Sequence, residues 1–324
     1  MPGAIPELEV ERSVRERLYG ERLEVRATPR PRPPLEPFAS WRPGRLFGAR
    51  YRLLERVGAG GMATVYRARD ERLKRDVAIK VITERLARDP LFVRRFRREA
   101  ELCARLMHPN IVAVLDAGVE PQDFIVMELV HGIDAGALLH RHGPLTPGEA
   151  IHVVAQVCAA LAYAHARDVV HQDVSPGNIL IGRPELATKL ADFGLAYDTL
   201  DVPATPVPTI MGTPGYVAPE VLRGAGPSPR SDLYSLGAVA YRLLAGPSCV
   251  PPRDAHATAP LASAATGMPP LAEARPNLPR RLTEAVQQAL ANEPDARQDS
   301  VAEFRAQLVV GQSAPSLDEL ASAA

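Results

Sequence analysis

Alternation of apolar and polar positions in the first half of the chain predicts short β-strands. The three runs that open this region are 51–58 (YRLLERVG), 64–70 (TVYRARD) and 76–82 (DVAIKVI). Residues 90–107 change to a helical spacing, and the runs 111–118 and 123–129 return to the strand pattern. The apolar positions of this predicted helix are Leu91, Phe92, Phe96, Cys103, Leu106 and Met107. The pattern therefore predicts a small lobe of strands with one helix.

The helical period dominates after about residue 131. The predicted helices are 147–168, 231–246, 279–291 and 300–311. The first begins with Pro147 and carries an apolar stripe, made of Ile151, Val154, Cys158, Leu161 and His165. The second has Arg230 or Ser231 near its start and ends at Gly246.

Together these patterns predict an α+β fold of two lobes. A small β-rich N-lobe with one helix covers about 47–130, and a larger, mainly helical C-lobe covers about 131–312. The junction of the two patterns, near 128–134, is the expected position of a cleft between the lobes. Residues 313–324 are predicted to form a flexible C-terminal tail.

Residues 1–46 form a charged and proline-rich N-terminal extension. Residues 7–25 are dense in Glu and Arg at helical spacing, and 28–37 (TPRPRPPLEP) are rich in proline. The segment is predicted either to dock a partner protein or to be a flexible extension without a fixed partner.

Composition narrows the classes of partner and compartment. The chain of 324 residues has 38 basic and 38 acidic side chains and no net charge, which argues against nucleic acid or an anionic membrane as main partner. Cys103, Cys158 and Cys249 are far apart and odd in number, as expected of reduced thiols. No apolar leader or run long enough for a membrane span is visible, so a cytoplasmic location is expected.

A glycine-rich turn joins the first two predicted strands. Its residues are Gly58, Ala59, Gly60, Gly61, Met62, Ala63, Thr64 and Val65, and Val57 precedes it. Such a turn either lets backbone N–H groups approach phosphate oxygens or is an ordinary hairpin. Because a strand follows it, a dinucleotide fingerprint, which needs a helix there, fits poorly.

Two charged residues lie at predicted core positions of the N-lobe. Lys80 shares a strand face with Ala78 and Ile82, where a charge is costly unless it is paired or binds a ligand. Glu99, between Phe96 and Cys103 on the predicted helix, is the candidate partner. A solvated carboxylate is the alternative, because arginines surround it in the sequence.

Three further polar residues follow in an order that suggests chemistry. Asp173 can accept a hydroxyl proton, and Asn178 and Asp192 offer hard oxygen ligands suited to magnesium. Each alone could be a turn residue, but the whole series after the VAIK strand is improbable by chance.

As an ordered set, the motifs resemble those of bacterial Hanks-type serine/threonine protein kinases. The matching segments are GAGGMATVY, VAIK, RREAEL, FIVMELV, HQDVSPGN, DFG, GTPGYVAPE, SDLYSLG and NEPDAR, spread over about 50–310. The resemblance implies a two-lobe kinase fold that binds ATP and Mg²⁺ and transfers phosphate to Ser or Thr hydroxyls of protein substrates, with autophosphorylation. The GTPGYVAPE segment disfavours a small-molecule phosphotransferase.

The resemblance also implies a role for each matching residue. Lys80 would contact phosphates and pair with Glu99, Asp173 would act on the substrate hydroxyl, and Thr213 would bridge to Asp173. Asn178 and Asp192 would hold magnesium. Scaffold roles would fall to Glu220 with Arg297 and to Asp232 beneath the catalytic loop. The adenine site would comprise Val57, Val65, Ala78, Met127 as gatekeeper, Glu128 to Val130 as hinge, and Leu180.

Neutral residues replace three family cations. Gln172 precedes Asp173, which makes this a non-RD loop, and Tyr197 follows the DFG motif. Neither pairs with a phosphate as a guanidinium does, so activity is expected to depend little on phosphorylation of Thr199, Thr205 or Thr209.

Ser175 replaces a lysine that contacts the γ-phosphate in the family. Its hydroxyl would bond Asp173 or a phosphate oxygen, and slower turnover is expected. Two features stay open: Arg95 is either solvated or near the phosphate site, and the family's docking helix is expected to be short or irregular in the Ala- and Pro-rich segment 247–280, which leaves substrate recognition open. A pseudokinase or nucleotide-binding scaffold is therefore the alternative to an active kinase.

Overall fold

The computed structural model describes most of the two predicted lobes. The described residues are 43–120, 122–182, 187–193, 197–198, 212–246 and 269–310, with backbone alone for 197–198. The predicted tail and most of the predicted N-terminal extension lie outside them. Leu46, the last residue assigned to the extension, already pairs with Arg52 in a strand.

An antiparallel sheet forms the N-lobe. Its strands are β1 (Leu46–Phe47), β2 (Tyr51–Ala59), β3 (Ala63–Asp70), β4 (Arg75–Ile82), β5 (Val114–Gly118) and β6 (Phe124–Glu128). Within the described residues the order is β1-β2-β3-β4-β6-β5. The three predicted opening strands are confirmed at β2, β3 and β4.

The central strand β4 is buried on both faces, which explains its β-branched sequence. On one face Val77, Ile79 and Val81 join a cluster with Phe47 and Phe124. The opposite face packs against helix α2 (Pro90–Cys103), which follows the single turn α1 (Glu84–Ala87). Ala78 and Ile82 lie in that second cluster, so Lys80 points toward the helix, as its spacing predicts.

The predicted helix 90–107 is wrong at its end. Helix α2 stops at Cys103, and the following turn leaves Met107 82% exposed. After Cys103 the backbone bonds tighten: the Arg105 N–H donates to the Leu102 carbonyl over 3.1 Å and the Leu106 N–H to the Cys103 carbonyl over 3.0 Å, a pattern that closes the last turn of a helix. At the other end of the helix, Leu91 is also exposed, so the apolar stripe begins later than its pattern suggests.

The run 111–118 is only partly a strand. Ile111 and Val112 leave the N-lobe sheet and meet Leu190 of the C-lobe, where the Val112 N–H donates to the Leu190 carbonyl over 2.9 Å. Strand β5 therefore begins at Val114. This crossing connects the two lobes behind the cleft.

Helices make up most of the C-lobe. They are α3 (Ala135–His142), α4 (Pro147–His165), α5 (Pro219–Leu222), α6 (Pro229–Ala245), α7 (Leu271–Ala274), α8 (Arg280–Ala289) and α9 (Val301–Val310). The long helices α4 and α6 form the centre of the largest apolar cluster, to which α8 and α9 contribute Val286 and Phe304. A fully buried aliphatic or aromatic side chain contributes about 1.5–3 kcal/mol.

Capping residues set the starts of the two central helices. Thr146 and Glu149 form a capping box before α4, and Ser228 and Ser231 form one before α6. Helix α6 thus begins at Pro229, ahead of the predicted Arg230 or Ser231, because Ser228 caps it and proline suits the first position. Its predicted end at Gly246 is confirmed, with φ 95°.

Short strands carry the catalytic loop between the lobes. They are β7 (Gly132–Asp134), β8 (Val169–Val170), β9 (Ile179–Gly182), β10 (Thr188–Leu190) and β11 (Tyr197–Asp198). Strands β7, β9 and β10 form one small sheet, and β8 pairs with β11. The loop between β8 and β9 contains Asp173 and Asn178, so these strands position the candidate site.

Candidate active site

The glycine-rich turn between β2 and β3 is open to solvent. Its residues Ala59, Gly60, Gly61 and Met62 are exposed, and the Gly60 N–H donates to the Ala63 carbonyl over 2.9 Å. A Cβ added at Gly61 would meet no atom within 4 Å. The backbone at this turn is therefore accessible to a phosphate group.

An apolar cleft lies between this turn and the C-lobe. Ala78 and Met127 are buried, and Val65, Val130 and Leu180 pack against the same cluster. Leu180 comes from β9 of the C-lobe, so both lobes contribute to the walls. Flat apolar walls beside the polar backbone of a hinge are suited to a planar base such as adenine. Val57, also predicted to line this site, is 52% exposed; Gly58, on the same strand, is half-buried.

Lys80 connects the two lobes through a pair of carboxylates. Its Nζ lies 2.7 Å from Glu99 Oε1 and 3.1 Å from Asp192 Oδ1. Glu99 is only 8% exposed, which rules out the alternative of a solvated carboxylate. Burial lowers the pKa of Lys80, but the charges of Asp192 and Glu99 outweigh burial, so this pKa is raised and the ammonium remains protonated.

The Asp173 carboxylate is held from two sides. Its Oδ1 accepts from the Thr213 N–H over 2.7 Å and from the Thr213 hydroxyl over 2.6 Å, so the predicted bridge is present. Its Oδ2 accepts from Asn178 Nδ2 over 2.9 Å. A carboxylate fixed in this way keeps one orientation toward the cleft.

Asn178 and Asp192 offer oxygen atoms that fit a magnesium ion. The Asn178 amide nitrogen donates to both the carbonyl and the carboxylate of Asp173, which turns its oxygen the other way. Asp192 has a positive φ of 57° and uses Oδ1 for Lys80. An amide oxygen and a carboxylate are hard donors of the type that magnesium accepts beside phosphate oxygens.

Asp232 of α6 anchors the catalytic loop from below. This fully buried carboxylate accepts from the N–H of His171 over 2.8 Å and from the N–H of Gln172 over 2.9 Å. His165 Nε2 lies 2.8 Å from the same carboxylate. Gln172 has φ 70°, an unusual conformation for this residue type that the Asp232 bonds stabilise.

The residues that replace the expected cations bring no charge to the loop. Ser175 is buried, and among the described residues its hydroxyl makes no hydrogen bond, so the predicted bond to Asp173 is not formed. The buried Gln172 Nε2 likewise lacks a partner in the described part of the chain. Arg95 is exposed, in agreement with a solvated side chain.

A stack of buried side chains behind the site was not predicted. His171 packs on Phe193 with ring centroids 4.5 Å apart, and its Nε2 faces the Ala191 carbonyl at 3.0 Å. Burial lowers the pKa of His171, and its Nδ1 accepts from the Asp173 N–H over 3.2 Å, as a neutral imidazole does. Cys103 lies in the same cluster, and burial raises the pKa of its thiol. The apolar spacing of α2 signals the burial of Cys103 but not its neighbours.

A buried ion pair supports the segment that carries Thr213. Arg297 Nη1 and Nη2 donate to the two carboxylate oxygens of Glu220, each over 2.7 Å. The Arg297 side chain is completely buried and also donates to the carbonyls of Arg230 and Ala291. The predicted Glu220–Arg297 pair is therefore present as a bidentate contact.

Several sequence predictions concern residues whose structure is not described. These are Gly194 of the DFG motif, the side chain of Tyr197, the three candidate phosphorylation sites Thr199, Thr205 and Thr209, and most of the segment 247–280. The predictions made for them lie outside the described residues.

Known proteins are similar to this chain in sequence and in fold. Residues 51–303 match the family model of the protein kinase domain. Serine/threonine-protein kinase PknB of Mycobacterium tuberculosis is 43% identical over 270 residues, which cover 80% of this chain and 42% of PknB. Serine/threonine-protein kinase PrkC of Bacillus subtilis is 35% identical over 279 residues, 85% of this chain and 42% of PrkC. This chain thus spans less than half the length of either relative.

A solved structure supports the same relationship. The crystal structure of the Mycobacterium tuberculosis PknI kinase domain superimposes with a TM-score of 0.67 at 32% identity, over 84% of this chain and 100% of that domain. The expected β-rich N-lobe and helical C-lobe are those of that fold. With its family match, its curated relatives and the geometry of its cleft, the chain belongs to the protein kinase family and is similar to bacterial serine/threonine kinases.

Proposed function

We propose that the domain transfers the γ-phosphoryl group of ATP to serine or threonine hydroxyls of proteins, including its own. The observation that carries the proposal is the set of contacts among Lys80, Glu99 and Asp192, opposite an Asp173 fixed by Thr213. Phosphoryl transfer depends chiefly on positioning and electrostatic stabilisation, which is what this arrangement supplies.

Asp173 acts on the nucleophile. With Oδ1 bonded to Thr213 and Oδ2 to Asn178, its carboxylate holds a substrate hydroxyl in line and accepts the hydroxyl proton. Lys80 orients the phosphates of the nucleotide, and Glu99 fixes Lys80. The apolar walls around Ala78 and Met127 exclude water from the base.

Asn178 and Asp192 are the residues that would hold magnesium. Bound there, the ion would neutralise charge on the phosphate oxygens during transfer. In the described structure both side chains offer oxygen atoms at the same edge of the cleft as Asp173 and Lys80.

A slower enzyme is the expected consequence of Ser175. Where the family has a lysine at the γ-phosphate, this chain has a buried neutral side chain. Loss of one preorganised contact costs about 2.7–4 kcal/mol in comparable sites. The same observation favours a second candidate function, a pseudokinase that binds nucleotide as a scaffold without efficient transfer.

The proposal also includes a bacterial signalling role in the cytoplasm and contact with a partner protein through residues 1–46. In the described residues no helix has the length and apolar character that a membrane crossing requires.

Incorporation of radiolabel from Mg-ATP separates the two functions. Wild type should label itself or casein, and Asp173→Asn and Lys80→Met should each reduce the initial rate by at least about a hundredfold. Mg-ADP binding by Asp173→Asn should persist, which shows that the variant is folded. Equal background label in all three proteins would support the scaffold and refute the kinase.

A further inference from the structure

The side chain of Glu128 connects the hinge to the strand that leads to Asp192. Its Oε1 accepts from the Ala113 N–H over 2.8 Å and from Lys189 Nζ over 2.8 Å. The Glu128 N–H in turn donates to the Ala113 carbonyl over 3.0 Å. Glu128 is thus fixed at its backbone and at its carboxylate, and only Lys189 among these partners belongs to the C-lobe.

The strand that carries Lys189 is itself firmly held. The Leu190 N–H donates to the Asn110 carbonyl over 2.8 Å, and the Leu190 carbonyl accepts from Val112. Thr188 donates its N–H to Gln156 of α4. The backbone of Lys189 is therefore fixed on both sides. A shift of its ammonium would move Glu128 and would not be compensated by a movement of β10.

The ion pair of Lys189 and Glu128 is half-buried. The Lys189 and Glu128 side chains are 20% and 30% exposed, so solvent screens the pair less than a surface pair. Composition points to the same residue: the chain has three lysines, Lys74, Lys80 and Lys189, among 38 basic side chains. Lys80 and Lys189 each bond a carboxylate of the other lobe, Asp192 and Glu128 respectively.

We propose that Lys189 is a positioning residue for nucleotide binding, which acts through Glu128. The Lys189–Glu128 pair, here termed the hinge brace, keeps the backbone of Glu128 to Val130 in register with Asp192, three residues beyond Lys189. The Lys189 side chain thereby connects the proposed adenine-binding hinge, Glu128 to Val130, to the strand that leads to Asp192, the candidate magnesium ligand. The inference rests on the proposed function, because it assumes that the cleft binds an adenine nucleotide with a divalent cation.

Loss of the brace should weaken binding more than catalysis. In Lys189→Met, Glu128 keeps the Ala113 contact but loses its connection to the C-lobe, so the hinge has to be ordered when the nucleotide binds. We expect the Kd for Mg-ADP and the KM for ATP to rise about three- to tenfold, which corresponds to about 0.7–1.4 kcal/mol, while kcat stays within about twofold.

A double-mutant cycle tests whether Lys189 acts through Glu128. Calorimetric titration with Mg-ADP is carried out on wild type, Lys189→Met, Glu128→Gln and the double variant. Lys189→Met should raise the Kd for Mg-ADP at least threefold in wild type and less than twofold in the Glu128→Gln background. Lys74→Met is the matched control, because Lys74 pairs with Glu71 on an exposed turn of the N-lobe and should bind Mg-ADP like wild type.

Hydrogen exchange gives a second readout that a general loss of stability would not produce. In Lys189→Met the amides of 128–132 should exchange faster, whereas those of helix α6 should not change. Unchanged Mg-ADP affinity, or equal losses in both backgrounds of the cycle, would overturn the hinge brace and leave the proposed function intact. Absence of Mg-ADP binding by wild type would overturn both.

Discussion

On the N-lobe side of the cleft, Lys80 lies 2.7 Å from Glu99 and 3.1 Å from Asp192, so that each charge has a partner. On the C-lobe side, the catalytic loop has neutral Gln172 and Ser175 at positions where the family resemblance implies cations. The two sides thus differ in charge. The side proposed to orient the nucleotide has ionic contacts, whereas the catalytic loop has neutral side chains at the two positions expected to contact phosphate.

The difference shows that the catalytic loop keeps its geometry without cations at positions 172 and 175. Two N–H groups, of His171 and Gln172, bond Asp232, and Thr213 holds Asp173. These contacts involve buried or partly buried groups and are internal to the fold. We therefore expect the neutral side chains of Gln172 and Ser175 to change control and speed, while Asp173 stays in place.

The largest effect is expected on stability, when the buried pair of Glu220 and Arg297 is broken. Arg297→Met leaves Glu220 without its bidentate partner and removes bonds to three carbonyls, which should lower the free energy of unfolding by about 3–5 kcal/mol. Urea denaturation measures the loss. Arg280→Met, which breaks an exposed pair with Glu284, is the control and should cost about 0.3–0.5 kcal/mol. Similar losses in the two variants would contradict the importance of the buried pair.

A smaller effect, on kcat, is expected when a positive charge is introduced into the catalytic loop. Ser175→Lys places an ammonium beside the transferred phosphate and should raise kcat about tenfold, or about 1.4 kcal/mol in activation free energy. Ser175→Met, similar in length but neutral, controls for packing at this buried position and should not raise kcat. A gain in both variants, or in neither, would show that charge at 175 does not limit transfer.

Local rules predicted most of the elements. Period-two alternation located strands β2 to β4 and placed Lys80 on the face of Ala78 and Ile82, because side-chain direction in a strand follows from sequence alone. The positions of α4 and α6 follow from apolar periodicity. The family motifs predicted the pairs of Asp173 with Thr213 and of Glu220 with Arg297.

Features that depend on distant contacts were not predicted. Spacing on the helix left Glu99 either buried or solvated, since only the packing of α2 against β4 decides between these alternatives. Val112 pairs with Leu190, and Lys189 with Glu128, across long separations in sequence. The hydroxyl of Ser175 was expected to bond either Asp173 or a phosphate oxygen, but Thr213 and Asn178 already bond the two carboxylate oxygens of Asp173.

The central claim is that transfer depends little on phosphate in the activation segment. The most direct measurement is the initial rate of phosphate transfer to casein by the Thr205→Ala, Thr209→Ala double variant, compared with wild type pre-incubated with Mg-ATP. Because neutral Gln172 offers no cation to a phosphate there, the two rates should agree within about twofold. A rate at least a hundredfold lower in the double variant would contradict the claim.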